Sequence, residues 1–339
     1  MISKVMPSFY KIIRMCIIFS FIITSPLSAE NLDFQVWLSS YKKFALKEGV
    51  SQNTLDTAFR NVKFLEKIIK YDRKQPEFFE DTITYVKKRA TSSRAKRAID
   101  LLKENNALFI NVENEFLVEK EILLALWGIE TNYGKHVGKM DIISSLATLS
   151  FDKRRRVFFS SQLLTLLKLI DDKLIDPNTL YGSWAGAYGN FQFMPSTIKS
   201  YAIDYDGNNQ INLKTSLDDS LASAANYIKK IGWKKNEPCF FRVKLTNNIK
   251  KKYINLSARG ISNKLKISQW KKKGIIKFDG SDFKTNLNAA LISPDGIDNS
   301  PTYLVFDNYE KILKWNRSLR FGISVCTLAN MIKDNKLKI

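Results

Sequence analysis

Apolar residues recur every three or four positions through the first part of the chain after residue 30. This spacing is typical of amphipathic helices, and in "FQVWLSSYKKFALKEGV" it falls on Phe34, Trp37, Leu38, Tyr41 and Phe44. Ser51 then begins "SQNTLDTAFRNV" as a good helix N-cap. "YDRKQPEF" (71–78) reads as a connector, and residues 80–107 predict a further charged, amphipathic helical stretch.

The pattern changes twice in the rest of the chain. Between residues 115 and 233, helical stretches such as "EKEILLALWGIE" alternate with polar, glycine-containing loops. Residues 238–305 switch to short alternating segments such as "CFFRVKLT" and "TYLVFDN", which predict a small β-rich unit. A helical pattern then returns. The predicted fold class is therefore α+β, mainly helical, with a small β-rich insertion.

The first 29 residues have the pattern of a secretory signal peptide. Lys4, Lys11 and Arg14 precede the apolar run "MCIIFSFIIT", and "SPLSAE" offers small residues before Glu30. An uncleaved membrane anchor is the alternative. Cys16 lacks the small residue expected before a lipidated cysteine, so we expect a periplasmic protein without a lipid anchor. The units expected after the signal are an N-terminal helical region (30–114), a core (115–235), a β-rich subdomain (236–305) and a C-terminal helix that returns to the core (306–339).

The net charge of +21 indicates attraction to anionic surfaces such as lipid headgroups or acidic polysaccharide. Nucleic acid is not an expected partner, because the sequence has no helix-turn-helix, zinc-finger or RNP-like motif. His136 is the only histidine, which argues against histidine-rich metal sites. Cys239 and Cys326 could form a disulfide in an oxidising compartment, or remain two buried thiols.

Glu130 is a candidate general acid. On the helical interpretation it shares a face with Leu123, Leu126 and Trp127, close to the helix C-terminus. Desolvation and the negative end of the helix dipole both disfavour the charged carboxylate, so we expect its pKa to be raised. A protonated carboxyl group is what general acid catalysis at neutral pH needs. The alternative is a solvated glutamate at a helix end.

"YGSWAGAYGNFQFMPST" (181–197) has the composition of a sugar-binding loop. Aromatic rings match the apolar faces of sugars, while Ser183, Asn190 and Gln192 could hydrogen-bond hydroxyl groups. A tightly packed structural loop is the alternative. In "FDKRRRVFF" (151–159), arginines beside aromatic residues could bind carboxylates or phosphate, or form a solvated turn.

"DYDGNNQINLKTSLDD" (204–219) partly matches a calcium-binding loop. Asp204, Asp206 and Asn208 occupy positions 1, 3 and 5, and Gln210 occupies position 7. Asp219 or Asp218 would complete the ligand shell, since position 12 is a threonine. The alternative is a turn rich in Asp and Asn.

Together these stretches resemble the lytic murein transglycosylase B family. The resemblance covers residues 115–235 and rests on the order of "GIETNYG", "LATLSF", "KRRR", "GSWAGAYGNFQFMPST", "DYDGNNQINL" and "LASAANYI", with "KWNRS" nearer the C-terminus. It implies a lysozyme-like α+β fold, action on peptidoglycan glycan strands, and Glu130 as the catalytic acid and base. It also implies substrate-binding roles for several residues. These are Ser183, Gln192, Tyr227 and Asn316, with Arg155 and Arg156 facing the peptide or muramoyl part. The aromatic composition of the 181–197 loop adds Tyr188 to the expected substrate-binding residues.

The resemblance further implies a structural Ca²⁺ held by Asp204, Asp206, Asn208, Gln210 and Asp219, with no cofactor required for the chemistry. The sequence departs from the family pattern in places: Asn209 replaces a loop glycine, Asn208 a common aspartate, and Trp315 stands where tyrosine can occur. Other cell-wall enzymes are further candidate partners, and we expect a monomer.

A site with one carboxylate must take its nucleophile from the substrate, whereas most glycosidases use two carboxylates. Glu130 would protonate the glycosidic oxygen between N-acetylmuramic acid and N-acetylglucosamine, then accept the proton of the muramoyl C6 hydroxyl as a 1,6-anhydro ring closes. The alternatives are a hydrolytic muramidase and a non-catalytic peptidoglycan-binding protein.

Overall fold

The computed structural model describes residues 29–73, 80–297 and 301–336. Within these residues the chain forms fourteen α-helices and eight β-strands. The helices are α1 (Ala29–Lys47), α2 (Gln52–Ala58), α3 (Glu66–Arg73), α4 (Thr82–Arg89), α5 (Ser92–Glu104), α6 (Asn106–Phe116), α7 (Lys120–Thr131), α8 (Ile142–Phe151), α9 (Arg156–Asp171), α10 (Pro195–Tyr201), α11 (Leu217–Lys230), α12 (Ile267–Lys272), α13 (Asp307–Trp315) and α14 (Leu319–Lys336). The strands are β1 (Met140–Asp141), β2 (Tyr181–Gly182), β3 (Phe240–Leu245), β4 (Ile254–Asn255), β5 (Leu265–Lys266), β6 (Ile275–Lys277), β7 (Asn288–Ile292) and β8 (Thr302–Val305).

One apolar core joins the N-terminal, central and C-terminal helices. In α1, Phe34, Leu38, Tyr41 and Ala45 are buried at helical spacing and belong to the same core cluster as the buried residues of α7, α9 and α14. Helix α14 packs against α4, α5, α7 and α13. The last helix of the chain is therefore an internal support for the central region.

The β strands form two sheets of unequal size. Strands β1 and β2 make a small antiparallel pair. The larger sheet has the order β4-β7-β8-β3-β6, with β5 paired to β7. It is antiparallel except for the β4–β7 pair. One face packs around Trp270 of α12, which is fully buried and donates to the Ala289 carbonyl at 2.8 Å.

A disulfide joins Cys239, immediately before β3, to Cys326 in α14, and their Cα atoms lie 6.1 Å apart. Of the two alternatives left open by the sequence, a disulfide or two buried thiols, the structure has the disulfide. The bridge ties the large sheet to the helix at the centre of the apolar core.

The predicted α+β class, mainly helical with a small β-rich part, is confirmed. Ser51 also caps α2 as expected, accepting a hydrogen bond from Thr54 N. The predicted signal segment (1–29) lies outside the described residues except at its end. None of the described helices is long and apolar enough to cross a bilayer.

Three expectations about element boundaries needed correction. Residues 71–73 of the predicted connector are the last turn of α3, and residues 80–107 divide among three helices. The single C-terminal helix is in fact two, because the backbone at Asn316 is extended (φ −136°, ψ 120°) after α13 ends at Trp315. Ser318 then accepts a hydrogen bond from Phe321 N at the start of α14. The proposed unit boundaries stay predictions.

Candidate active site

Helix α7 positions Glu130 in its last turn. Residues 122–128 are buried, and the helix ends where Asn132 and Tyr133 adopt left-handed conformations (φ 51° and 59°). Gly128 permits this reversal, because a Cβ there would lie 2.6 Å from the Tyr133 hydroxyl. Glu130 is left partly buried at the edge of the core.

Trp315 donates a hydrogen bond from its indole Nε1 to Glu130 Oε1 at 2.9 Å. The two residues are 185 positions apart in the sequence. The break after α13 places Trp315 at the end of that helix and Asn316 directly beyond it. An indole N–H can only donate, so this contact fixes one oxygen of the carboxyl group as an acceptor.

Aromatic side chains surround Trp315. Its ring stacks on Tyr227 with centroids 5.1 Å apart, and Tyr227 stacks on Tyr201 at 4.4 Å. Phe193 and Phe191 meet the Trp315 ring edge-on at 5.3 and 6.2 Å. Glu130 therefore has an aromatic wall beside it, which we call the aromatic cluster (Phe191, Phe193, Tyr201, Tyr227 and Trp315).

Tyr227 contributes a neutral hydroxyl group to this cluster. Its Oη donates to the Lys314 carbonyl at 3.1 Å, which links α11 to the last turn of α13. Burial, with a smaller contribution from Tyr201, raises the pKa of Tyr227 to about 12. The phenol is therefore uncharged at neutral pH and presents no anion to Glu130.

The 181–193 loop is held to the segment that follows α7. Gln192 Nε2 donates to the Val137 and Gly189 carbonyls at 3.1 and 2.9 Å. Ser183 Oγ accepts from Ala187 N at 2.9 Å. Gly138 makes this approach possible, since a Cβ there would lie 2.0 Å from the Gly182 oxygen. The amide and hydroxyl groups predicted to bind sugar thus also organise the loop itself.

Tyr188 differs from the other predicted substrate-binding residues. Its side chain is buried, and its hydroxyl lies 3.2 Å from Thr179 Oγ1. It lines a cavity of about 600 Å³ together with Tyr181 and Lys214. The lining of that cavity includes neither Glu130 nor Trp315, so the structure does not bring the Tyr188 hydroxyl into the aromatic cluster.

Asn190, considered from sequence as a sugar-facing residue, is buried and acts as an internal connector. Its side chain accepts from Trp127 Nε1 at 3.1 Å and donates to Ser220 Oγ at 3.1 Å. Its backbone oxygen accepts from Thr131 Oγ1 at 2.8 Å. Asn190 therefore joins α7, which carries Glu130, to α11, which carries Tyr227.

The arginines of residues 151–159 form contacts with other residues of this chain. Arg154 Nε and Arg155 Nη1 lie 3.3 and 3.4 Å from the carboxylate of Asp72, which is 1 % exposed. The Arg155 guanidinium also lies over the rings of Phe158 and Phe159. Arg156 is exposed and donates to the Phe151 carbonyl at 2.7 Å. A substrate-facing role for the Arg155–Arg156 pair stays a prediction.

The 204–219 segment places three carboxylates together. One oxygen from each of Asp204, Asp206 and Asp219 lies within 4.8 Å of the others. Asp219 is fully buried and accepts from Tyr205 N and Asn212 N at 2.8 Å each. The carboxylate cluster thus contains Asp219, the acid favoured by the sequence pattern.

The backbone of this loop suits the residues it contains. Asn209 adopts a left-handed conformation (φ 65°), which asparagine tolerates better than most residues and which explains how it can replace glycine. The Asn208 side-chain oxygen accepts from Gln210 N at 2.9 Å. An all-oxygen donor set with three carboxylates is the chemistry that Ca²⁺ prefers, so the residues fit the ion.

Residues 33–330 match the transglycosylase SLT domain. The chain belongs to this family. Over 170 residues it is 38 % identical to membrane-bound lytic murein transglycosylase B of Escherichia coli K12. That match covers 48 % of this chain and 47 % of the relative, about half the length of each.

Solved structures resemble this SLT-domain chain over most of its length. SltB3 from Pseudomonas aeruginosa, in complex with NAG-anhNAM-pentapeptide, has a TM-score of 0.82 at 32 % identity, covering 88 % of this chain and 79 % of SltB3. Escherichia coli Slt35 in complex with calcium has a TM-score of 0.74 at 27 % identity, covering 91 % and 95 %. The lysozyme-like transglycosylase fold is therefore established for this chain.

Sequence reasoning missed two features of this SLT-domain site. Tyr201 extends the aromatic cluster, and Asp72 binds Arg154 and Arg155. Tyr201 follows the 181–197 loop closely, so its aromatic character was an available signal. Asp72 offered none, because its contact with Arg155 spans 83 residues and "YDRKQPEF" looks like a loop.

Proposed function

We propose that this protein is a peptidoglycan lytic transglycosylase. It cleaves the β-1,4 bond between N-acetylmuramic acid and N-acetylglucosamine and leaves a 1,6-anhydro end. The observation that carries the proposal is the placement of Glu130, hydrogen-bonded by Trp315 at the aromatic cluster. SltB3, a related protein, is described in complex with NAG-anhNAM-pentapeptide and with NAG-NAM-pentapeptide, which supports the same glycan as substrate here.

Glu130 acts first as a general acid. Since Oε1 accepts the Trp315 N–H, we assign the transferred proton to Oε2. That proton goes to the glycosidic oxygen, the C1–O4 bond breaks, and the N-acetylglucosamine hydroxyl leaves. The N-acetyl carbonyl of the muramoyl residue supports the positive charge at C1. The aromatic neighbours exclude water, which would otherwise compete for C1.

Glu130 then acts as a general base. Its carboxylate accepts the proton of the muramoyl C6 hydroxyl, and O6 forms a bond to C1. The glutamate ends the cycle protonated, and no water is consumed. One carboxyl group therefore serves both steps, in contrast to hydrolytic glycosidases with two.

We further propose that the 204–219 loop binds a structural Ca²⁺ through Asp204, Asp206, Asn208, Gln210 and Asp219. The cluster of carboxylates supports this, and the related Slt35 is described in complex with calcium. The ion would stabilise the loop beside Asn190, which donates to the Lys214 carbonyl at 3.2 Å. We place the enzyme in the periplasm, where its glycan substrate lies.

The products released from purified sacculi test the reaction. Mass spectrometry should find muropeptides ending in 1,6-anhydro-N-acetylmuramic acid, each one water lighter than the hydrolytic product. A reducing N-acetylmuramic acid end would instead identify a hydrolytic muramidase. Binding to sacculi without soluble products would identify a non-catalytic wall-binding protein.

A further inference from the structure

In the part of the chain that the structure describes, one face of the large sheet is buried along half of its width and carries exposed side chains along the other half. At β7 and β8, this face buries Ala290, Ile292, Tyr303 and Val305 in the main apolar core. The pairing register carries the same face onward to β3 and β6. Arg242 lies opposite Tyr303, Lys244 lies opposite Ile276, and Phe278 N donates to the Arg242 carbonyl.

Two cations and two apolar side chains lie on this face of the sheet at β3 and β6. Arg242 and Lys244 are exposed, and the side chains of Ile276 and Phe278 are each 43 % exposed. The Arg242 guanidinium lies 3.8 Å from the centroid of the Phe278 ring, and Lys244 Nζ lies 4.6 Å from it. We call these four residues the outer-sheet patch.

The region around the patch carries much of the protein's positive charge. Residues 240–290 contain thirteen Lys and Arg against two acids, a net charge of +11 out of +21 for the whole chain. In the part of the chain that the structure describes, ion pairs within 4.0 Å engage only Lys264 and Lys271 of these thirteen. A general enrichment in lysine would spread charge evenly, whereas these 51 residues hold about half of it.

Protection of an exposed strand edge does not explain the patch. Lysines often guard edge strands against pairing with other chains. Arg242 and Lys244, however, lie on β3, which has β8 on one side and β6 on the other. Their strand is already paired on both sides, so its cations are available for another role.

We propose that the outer-sheet patch docks the protein on an anionic phospholipid bilayer. Arg242 and Lys244 contact lipid phosphates, while Ile276 and Phe278 enter the boundary between headgroups and acyl chains. The surrounding lysines supply longer-range attraction. A hydrated polyanion such as nucleic acid or wall polymer would use the cations but would give the two apolar side chains no apolar phase to enter.

Binding to vesicles tests this proposal. The predicted mature chain from Glu30 is mixed with phosphatidylcholine vesicles, with and without an equal amount of phosphatidylglycerol, and sedimented. The wild type should sediment with the anionic vesicles and should not sediment with the neutral ones. The double variant Arg242→Gln/Lys244→Gln should bind about thirtyfold more weakly. The matched control Lys250→Gln/Lys251→Gln makes the same charge change away from the patch and should lose much less.

The salt dependence of vesicle binding tests the two apolar residues of the patch, Ile276 and Phe278. Ile276→Ser/Phe278→Ser retains every charge, and both sites are exposed, so folding checked by circular dichroism should be kept. We expect this variant to bind the anionic vesicles more weakly than the wild type and to be released at a lower NaCl concentration, because it keeps every charge but has lost the apolar contacts, which salt does not screen. Equal losses in the patch and control variants would overturn the proposal in favour of bulk charge. Loss of sacculus binding instead of vesicle binding would assign the patch to the cell wall.

Discussion

Aromatic side chains are prominent both around Glu130 and in the β subdomain (residues 236–305), but the partners of these side chains differ. In the aromatic cluster the rings of Trp315, Tyr227 and Tyr201 stack on one another, and the polar partner of Trp315 is a carboxyl group. In the β subdomain the half-exposed ring of Phe278 has two cations as its neighbours, Arg242 and Lys244. The two regions therefore use aromatic rings differently: in one the rings stand beside a carboxyl group, and in the other a ring stands beside two cations.

The largest expected effect comes from removing the carboxyl group. Glu130→Gln should lower the turnover of sacculi by about 10³-fold or more, because the amide can neither donate the proton nor accept it. Its side-chain oxygen can still accept the Trp315 N–H, so thermal unfolding and glycan binding should be retained. Muropeptide release measured by chromatography checks this.

Glu121→Gln is the matched control, since it makes the same change in the first turn of the same helix. It should keep nearly full turnover. Near-normal activity in the Glu130 variant would show that Glu130 is not the catalytic acid. The aromatic cluster would then no longer differ from the β subdomain by surrounding a catalytic group.

The second prediction concerns the covalent link of the β subdomain to the helical core. Cys239→Ala/Cys326→Ala should lower the free energy of unfolding by up to about 4 kcal/mol, because the bridge closes a long loop in the unfolded chain and spans 87 residues. Denaturant titration measures the loss. Turnover below the unfolding transition should change little, since neither cysteine takes part in the ring stacking of the aromatic cluster or in the Trp315–Glu130 hydrogen bond. A large loss of turnover in a folded variant would show that the two regions are coupled.

The third prediction is that calcium binding to the 204–219 loop stabilises the folded protein. Ca²⁺ at about 100 times its dissociation constant should stabilise the wild type by about 2.7 kcal/mol, seen as a higher melting temperature than in chelator. Asp219→Asn should abolish the difference, because Asp219 belongs to the carboxylate cluster. Asp218→Asn, one position earlier, should keep it. Equal responses from both variants would argue against a site in this loop.

How far the sequence predicts this molecule depends on the range of the interactions. Helices such as α7 and α11 follow from local periodicity, and the position of Glu130 in the last turn of α7 follows with them. Ser51 was likewise identified as an N-cap from adjacent residues alone. The resemblance to a known family added roles for Tyr227 and Asn316, which periodicity cannot supply.

The remaining features depend on contacts between distant segments. Trp315 contacts Glu130 across 185 residues of sequence, from the end of α13, and the turn at Asn316 that ends this helix is concealed by a continuous helical pattern. The burial of Asn190 depends on α7 and α11 closing around it. Whether Cys239 and Cys326 pair also depends on tertiary packing, so spacing alone left it open.

The smallest expected effect lies where the two regions meet. Helix α13 follows the β subdomain directly and ends in Trp315, so the donor to Glu130 lies on the element that connects the two regions. Trp315→Phe removes only that donor and keeps an aromatic ring against Tyr227. Loss of a hydrogen bond to a group that becomes charged during the reaction should lower kcat about tenfold, with KM nearly unchanged because the rest of the aromatic cluster is retained. Steady-state kinetics on a soluble glycan fragment separates the two constants. A rise in KM with kcat unchanged would show that Trp315 binds substrate rather than orienting Glu130, and the β subdomain would then influence affinity instead of the chemical step.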